Sequence, residues 1–219
     1  MISDNLSKIQ DSIPDNVNLV AVSKTKPVSA LIEVYNAGQR IFGENKVQEM
    51  CEKHEVLPKD IQWHLIGHLQ SNKVKYIAPF VALIHSVDSY KLLEEINKQG
   101  QKNKRVIDCL LQFHIAQEET KFGLTIEDSK ELLNSTEYKS FANVRLVGVM
   151  AMASFTDDIE TVRKEFKVLK TIFTNLKNEF FSDETAFKEI SMGMSGDYLL
   201  AIEEGSTMVR VGSSIFGSR

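Results

Sequence analysis

The sequence has little cysteine, no excess of positive charge and no long hydrophobic run. Its two cysteines, Cys51 and Cys109, allow at most one disulfide, so we expect no disulfide framework. The formal net charge of −4 at pH 7 gives no basic field to attract nucleic acid. No apolar stretch approaches the roughly 20 residues of a membrane span, and residues 1–5 do not begin a signal peptide. These absences predict a cytoplasmic protein that binds neither nucleic acid nor membrane.

Two enzyme classes lack their usual sequence marks. No Gly-x-Gly-x-x-Gly follows a predicted strand, so a dinucleotide fold has no fingerprint. A metal-dependent barrel hydrolase would draw on histidines near strand ends, which are His64, His68, His85 and His114. His64 and His68 span a strand and a turn, however, and need not face one point. We therefore favour hydrogen-bonded or exposed histidines and keep the metal site as an alternative.

Apolar runs alternate with amphipathic helical patterns along the whole chain. The 42% of hydrophobic residues supply a sizeable core, and eight units average about 27 residues each. Alternation of this kind favours a parallel sheet, and eight repeats favour a closed (β/α)8 TIM barrel forming one domain over residues 1–219. An extra helix at 3–12 precedes the repeat, and a polar loop is predicted at 113–123. A doubly wound open sheet is the alternative. The predicted strands lie at 19–22, 40–45, 61–66, 80–85, 105–112, 145–152, 188–192 and 208–211.

The first strand brings a lysine to the surface. Leu19–Val22 is predicted to be buried, Lys24 follows it, and Pro27 then forces a turn. An amine half inside an apolar wall is disfavoured in its charged form and becomes more nucleophilic. Schiff-base chemistry with an aldehyde cofactor requires such an amine. A solvated lysine at the end of a strand is the alternative interpretation.

Active sites of such barrels lie at the C-terminal ends of the strands. The loops at 191–197 and 212–214 are rich in glycine and serine, whose exposed N–H groups favour an anion site. Ordinary turns would have the same composition. Arg210 lies within an apolar strand and needs a partner, for which a structural ion pair is the alternative. The candidates at or near strand ends are Lys24, Asn45, His64, His85, Gln112, Met150, residues 191–195, Arg210, Gly212 and Ser213.

Five segments together resemble the YggS/PROSC family, the pyridoxal 5′-phosphate (PLP) homeostasis proteins. The resemblance runs nearly end to end and departs only at His68 and Gly196, where other residues are common. The segments are Val-Ala-Val-Ser-Lys-Thr-Lys-Pro at 20–27, Phe-Gly-Glu-Asn at 42–45, Trp-His-Leu-Ile-Gly-His-Leu-Gln-Ser-Asn-Lys at 63–73, Ser-Met-Gly-Met-Ser at 191–195 and Gly-Ser-Thr-Met-Val-Arg-Val-Gly at 205–212.

The resemblance implies a barrel like the N-terminal domain of alanine racemase, of fold type III, with PLP as cofactor. It implies that Lys24 forms the Schiff base and that Asn45 contacts the ring. Arg210 would face the pyridine nitrogen. The phosphate would be held by Ser195, Gly212, Ser213 and the Met194 backbone.

An arginine at that nitrogen has a chemical consequence. It cannot accept a proton, and it discourages protonation of the ring, which becomes a poorer electron sink. The chain ends at Arg219, so we expect no room for the racemases' second, β-rich domain and its catalytic base. Together with these two features, the resemblance implies a protein that holds and delivers PLP with little turnover, and we expect it to be a monomer with apo-PLP enzymes as acceptors. A PLP-dependent racemase or lyase using the same site is the alternative.

Overall fold

The computed structural model describes residues 1–116 and 122–217, and within them eight strands close into one all-parallel barrel in chain order. The strands are β1 (Asn18–Val22), β2 (Ile41–Glu44), β3 (Gln62–Leu65), β4 (Leu83–Val87), β5 (Ile107–Gln112), β6 (Val144–Met150), β7 (Glu189–Met194) and β8 (Met208–Val211). The helices are α1 (Ile2–Asp11), α2 (Val28–Asn36), α3 (Val47–Val56), α4 (Val74–Ile77), α5 (Tyr90–Lys102), α6 (Ile126–Asn134), α7 (Thr136–Lys139), α8 (Ile159–Phe180), α9 (Tyr198–Glu203) and α10 (Ser213–Phe216).

Closure of the barrel rests on the pairing of its first and last strands. Ala21 pairs with Val211 in parallel register, while Val22 pairs with Gly43 on the other side. The (β/α)8 prediction is thereby confirmed, and the open sheet is wrong. The predicted extra helix is α1, which packs against α2 and α10 and donates from Asn5 Nδ2 to the Ile215 carbonyl.

The barrel separates two regions of buried side chains. The larger lies between the strands and the helices and includes Trp63, Phe42 and Phe166. A smaller apolar cluster is formed by Val20, Leu83, Leu110, Val147, Met150 and Met208. His85 on β4 bonds to Ser191 on β7, and because these strands are not neighbours the bond crosses the barrel interior.

The predicted strand bounds differ from the observed ones by up to three residues, and the differences at β4 and β7 have a clear structural origin. β4 begins at Leu83 rather than at residue 80, because the amides of Phe80 and Val81 both close a turn on the Ile77 carbonyl. β7 runs on to Met194 through a register shift instead of ending at residue 192. This extension carries the glycine- and serine-rich segment up to the rim of the barrel.

Both cysteines and the helices named above lie in the described part of the chain. None of the helices in residues 1–116 and 122–217 combines the length and apolar character needed to cross a bilayer. Cys51 and Cys109 are free thiols, and Cys109 is a buried core residue. Residues 117–121 of the predicted polar loop lie outside the described residues.

Candidate functional site

Lys24 leaves the barrel beside the loop that follows β8. It lies two residues beyond Val22, and a Cβ placed on Gly212 would stand 3.1 Å from the Val22 carbonyl oxygen. The Gly212 N–H in turn donates to Ser195 Oγ over 3.1 Å. The structure therefore brings Lys24, Ser195 and Gly212 to one rim, the C-terminal end of the barrel, where Lys24 is half-buried.

Asn45 stands on the same rim at the end of β2. Its backbone is packed against Gly67, where an added Cβ would lie 2.4 Å from the Asn45 carbonyl oxygen. Only glycine allows this approach, so the loop after β3 fixes the position of Asn45. Asn45 also lines a cavity of about 560 Å³ shared with Cys51 and His68.

The C-terminal end of β7 is shaped by Gly193. Its φ is +94°, and a Cβ there would lie 2.5 Å from the Cβ of Ala201. This turn leaves Met194 38% exposed and directs its N–H to Asp197 Oδ1 over 2.5 Å. The Met194 amide, predicted to bind phosphate, therefore already has an anionic acceptor in this structure.

Two successive backbone amides lie at the start of α10. The N–H groups of Ser213 and Ser214 have no acceptor among the residues that the structure describes. They follow Gly212 directly, and Ser195 Oγ lies beside them through its bond to the Gly212 amide. Successive amides and a hydroxyl of this kind form a concave site for an oxyanion.

Arg210 is a buried cation with neutral partners. It is 4% exposed, and it donates from Nη1 to Ser191 Oγ over 2.6 Å and from Nη2 to the Ala151 carbonyl over 3.0 Å. No carboxylate in the described ranges forms an ion pair with it, so the structural ion pair considered above is wrong there. Burial lowers the pKa of Arg210 to about 10, against the opposing charge of Asp197.

A chain of hydrogen bonds runs from Arg210 into the barrel. Ser191 Oγ lies 3.0 Å from His85 Nδ1, and His85 Nε2 lies 3.0 Å from His64 Nδ1. Because arginine only donates, Ser191 accepts from Arg210 and has its own hydrogen left for His85. His85 is then protonated on Nε2 and donates to His64. Burial lowers the pKa of His64 to about 3 and holds that of His85 well below its ordinary value.

The histidines do not converge as a metal site would require. His64 and His85 lie in the interior, whereas His68 is at the rim, 3.3 Å from Asp88 Oδ2 and stacked on Phe122. His114 is exposed. In residues 1–116 and 122–217, no group of three or more His, Cys, Asp or Glu side chains is placed to hold a metal ion.

Two of the strand-end candidates support the fold near the mouth. Met150 is fully buried in the apolar cluster of the interior. Gln112 donates from Nε2 to the Phe122 carbonyl over 2.9 Å and so tethers the loop after β5.

A buried ion network behind Lys24 was not predicted. Lys53 Nζ lies 2.7 Å from Glu44 Oε1 and 2.7 Å from Glu49 Oε1. Burial raises the pKa of Glu44 above its ordinary value, although the bonds from Lys53 and Ser23 oppose this. The sequence does contain one indication of this network. Glu49 and Lys53 are spaced one helical turn apart on the helix that follows Glu44, a spacing typical of an ion pair.

The full chain is similar to known proteins. Residues 1–219 match the family described as the N-terminal domain of alanine racemase. The pyridoxal phosphate homeostasis protein of Aquifex aeolicus is 42% identical over 92% of this chain and 86% of its own length. That of Schizosaccharomyces pombe is 42% identical over 97% of this chain and 89% of its own.

A solved structure gives the same result. PipY of Synechococcus elongatus PCC7942, with PLP bound, is 34% identical, has a TM-score of 0.90, and covers 99% of this chain and 100% of its own. The resemblance seen in the five sequence segments is confirmed by these relatives. The chain belongs to the pyridoxal phosphate homeostasis protein family, built on the barrel of the alanine racemase N-terminal domain.

Proposed function

We propose that this protein binds PLP at the C-terminal mouth of the barrel, holds it as a Schiff base on Lys24, and serves PLP homeostasis with little or no turnover. Bound PLP supplies a reactive aldehyde and an electron-withdrawing ring. The relatives named as homeostasis proteins and the PLP-bound structure of PipY support the choice of cofactor.

The observation that carries the proposal is the buried guanidinium of Arg210, which hydrogen-bonds to neutral groups and is attracted by the charge of Asp197 without forming an ion pair with it. A buried charge is costly unless it is paired, and this one has only a hydroxyl and a carbonyl as partners in the described residues. A pyridine nitrogen is an acceptor without a proton, which matches a donor that remains charged at neutral pH. The pyridine nitrogen of PLP would therefore be a suitable further acceptor for the Arg210 guanidinium.

The other end of PLP fits the rim of the barrel. The amides of Ser213 and Ser214, which lack an acceptor among the described residues, would hold the phosphate together with the hydroxyl of Ser195. Binding through the Met194 amide would require Asp197 to release it, so we assign that amide a secondary part. Asn45, fixed by the close approach of Gly67, would contact the ring from the side.

Limited turnover is supported by the position of Arg210 and by that of Tyr198. Arg210 would leave the ring nitrogen unprotonated, which weakens the electron sink that carbanion chemistry needs. Tyr198, the tyrosine that follows the β7 loop, has its hydroxyl 3.0 Å from Ser12 Oγ, outside the barrel. It is not placed as a second base at the cofactor.

The proposal is tested on the purified protein by titration with PLP, followed by visible absorbance. Wild-type protein should take up one equivalent with an absorbance that Lys24→Ala abolishes. Incubation of the loaded protein with L-amino acids in deuterated water then measures α-proton exchange. Rapid exchange or formation of the D-enantiomer would overturn the non-enzymatic role in favour of a racemase or lyase.

Delivery is tested with an apo-PLP enzyme as the acceptor. We place the protein in the cytoplasm as a monomer, where its partners would be PLP and such apoenzymes. Loaded protein should activate the acceptor faster than free PLP at the concentration that the protein releases by dissociation. Equal rates would reduce the role to buffering.

A further inference from the structure

The residue after Lys24 has a strained backbone. Thr25 has a φ of +63°, and in the described residues the only other non-glycine residue with a positive φ is Lys104. A β-branched side chain is strongly disfavoured in the left-handed region. Strain of this kind persists only where the surrounding structure holds it, and it concentrates at functional sites.

A carboxylate on α3 holds Thr25 in this conformation. The Thr25 N–H donates to Glu49 Oε1 over 2.6 Å. The same oxygen accepts from Lys53 Nζ, one helical turn further along, over 2.7 Å. The peptide that follows Lys24 is therefore bonded to a charged pair on a rigid helix.

The peptide that precedes Lys24 is bonded to Lys53, the lysine that also bonds to Glu49. Lys53 Nζ donates to the Ser23 carbonyl over 2.8 Å and to Glu44 Oε1 over 2.7 Å. Ser23 Oγ donates to that carboxylate oxygen as well, over 2.6 Å. One ammonium group thus links the backbone before Lys24 to the carboxylate that holds the backbone after it.

Supporting a loop with buried charges costs free energy, because the charged groups lose their hydration. Lys53 is 5% exposed and Glu44 is fully buried, and Glu44 Oε2 has no hydrogen-bond partner in the part of the chain that the structure describes. Buried ion pairs add little net stability compared with apolar residues of the same volume. The strained backbone of Thr25 and the buried charges of Lys53 and Glu44 lie on either side of Lys24. This combination indicates a functional rather than a stabilising role.

We propose that Glu44, Lys53 and Glu49 are positioning residues for Lys24, fixing its backbone from both sides so that its amine stands ready for an aldehyde. The inference rests on the proposed function, because it concerns the residue that would carry PLP. It adds residues that would act through the backbone around Lys24 rather than by contact with the cofactor.

The test compares three substitutions on α3. Glu49→Ala removes the acceptor of the Thr25 N–H, whereas Glu49→Gln keeps an acceptor oxygen at the same place. Glu55→Ala, an exposed position on the same helix, is the matched control. PLP titration should give a dissociation constant raised at least about tenfold for Glu49→Ala, within about threefold of wild type for Glu49→Gln, and unchanged for Glu55→Ala.

A rescue separates positioning from stability. In Glu49→Ala, Thr25 is free to relax to a negative φ and displace Lys24. Adding Thr25→Gly makes the left-handed conformation accessible again without steric cost, so the double variant should recover about threefold or more in affinity. Melting temperatures of all variants without PLP report any purely structural effect.

Two results would overturn the inference. One is an affinity of Glu49→Ala equal to that of wild type, and the other is a loss that Thr25→Gly does not reverse and that follows the melting temperature. Either leaves the proposed function intact as long as wild-type protein takes up PLP on Lys24. If wild-type protein takes up no PLP there, the proposed function itself fails.

Discussion

Arg210 donates a hydrogen bond to Ser191 over 2.6 Å and thereby joins the last strand of the barrel to the seventh. The bond places a cation in the interior without an anion among its described partners, and it passes on to His85 and His64. His64 is the far end of this chain of hydrogen bonds. It lines a cavity of about 660 Å³ together with Gln62 and Met208, which lie at the N-terminal ends of β3 and β8. A polar chain therefore extends from the candidate cofactor site toward the opposite end of the barrel.

Replacing Arg210 should separate stability from cofactor binding. Arg210→Met removes a buried charge and keeps most of the side-chain volume, so we expect the free energy of unfolding of the apoprotein to change by no more than about 1 kcal/mol or to rise. PLP affinity should fall at least about tenfold, because the ring nitrogen loses its donor. Denaturant unfolding and PLP titration of the same variant check both. A variant that unfolds readily but binds PLP normally would make Arg210 a structural residue.

The buried histidines predict a loss of stability in acid. Above about pH 6.5, His64 is neutral in the folded and unfolded states and contributes no pH dependence. Below that, the unfolded chain binds a proton that the folded protein, with the pKa of His64 at about 3, does not. The free energy of unfolding should therefore fall as the pH drops, by about 2 kcal/mol at pH 5 from His64 alone. His85 acts in the same direction.

His64→Asn tests this assignment. Asparagine keeps a polar atom near the position of Nδ1 but does not titrate, so the decrease in stability between pH 7 and pH 5 should be about 2 kcal/mol smaller than in wild type. Urea unfolding followed by the fluorescence of Trp63, the one tryptophan, gives the comparison. An unchanged pH dependence would assign the acid sensitivity to other groups.

Ser195 should determine recognition of the phosphate. Ser195→Ala removes a hydroxyl from the rim, and a hydrogen bond to a charged group contributes about 1.5–3 kcal/mol. Affinity for PLP should fall by about tenfold or more, whereas affinity for unphosphorylated pyridoxal should not change. Ser7→Ala, an exposed serine on α1, is the control. Equal losses for both ligands would mean that Ser195 only supports the loop through Gly212.

The local alternation of apolar and polar residues was enough to predict the barrel and the strand ends that form its rim. Strand runs that end in polar residues placed Lys24, Asn45 and Arg210 at strand ends, and parallel topology then brings those ends to one rim. The glycine- and serine-rich segment at 191–197 was predicted as a loop after the seventh strand, whereas residues 191–194 belong to β7 in the structure.

Contacts between distant residues were beyond such reasoning. The bond from His85 to Ser191 joins residues 106 positions apart and depends on which side chains face inward across the barrel. The network of Glu44 and Lys53 depends on α3 packing its polar turn onto β2. The start of β4 was wrong for a different reason, since an apolar run at 80–82 fits a buried turn as well as a strand.

The attachment point of PLP is the most direct test of the central claim. Protein loaded with PLP is reduced with borohydride, digested, and its labelled peptide is identified by mass spectrometry. Lys26 bonds to the Gly217 carbonyl over 2.9 Å and serves as the neighbouring control. The account predicts label on Lys24 in wild-type protein and in Lys26→Ala, and none in Lys24→Ala. Label on another lysine of the wild type, or label that survives in Lys24→Ala, would contradict it.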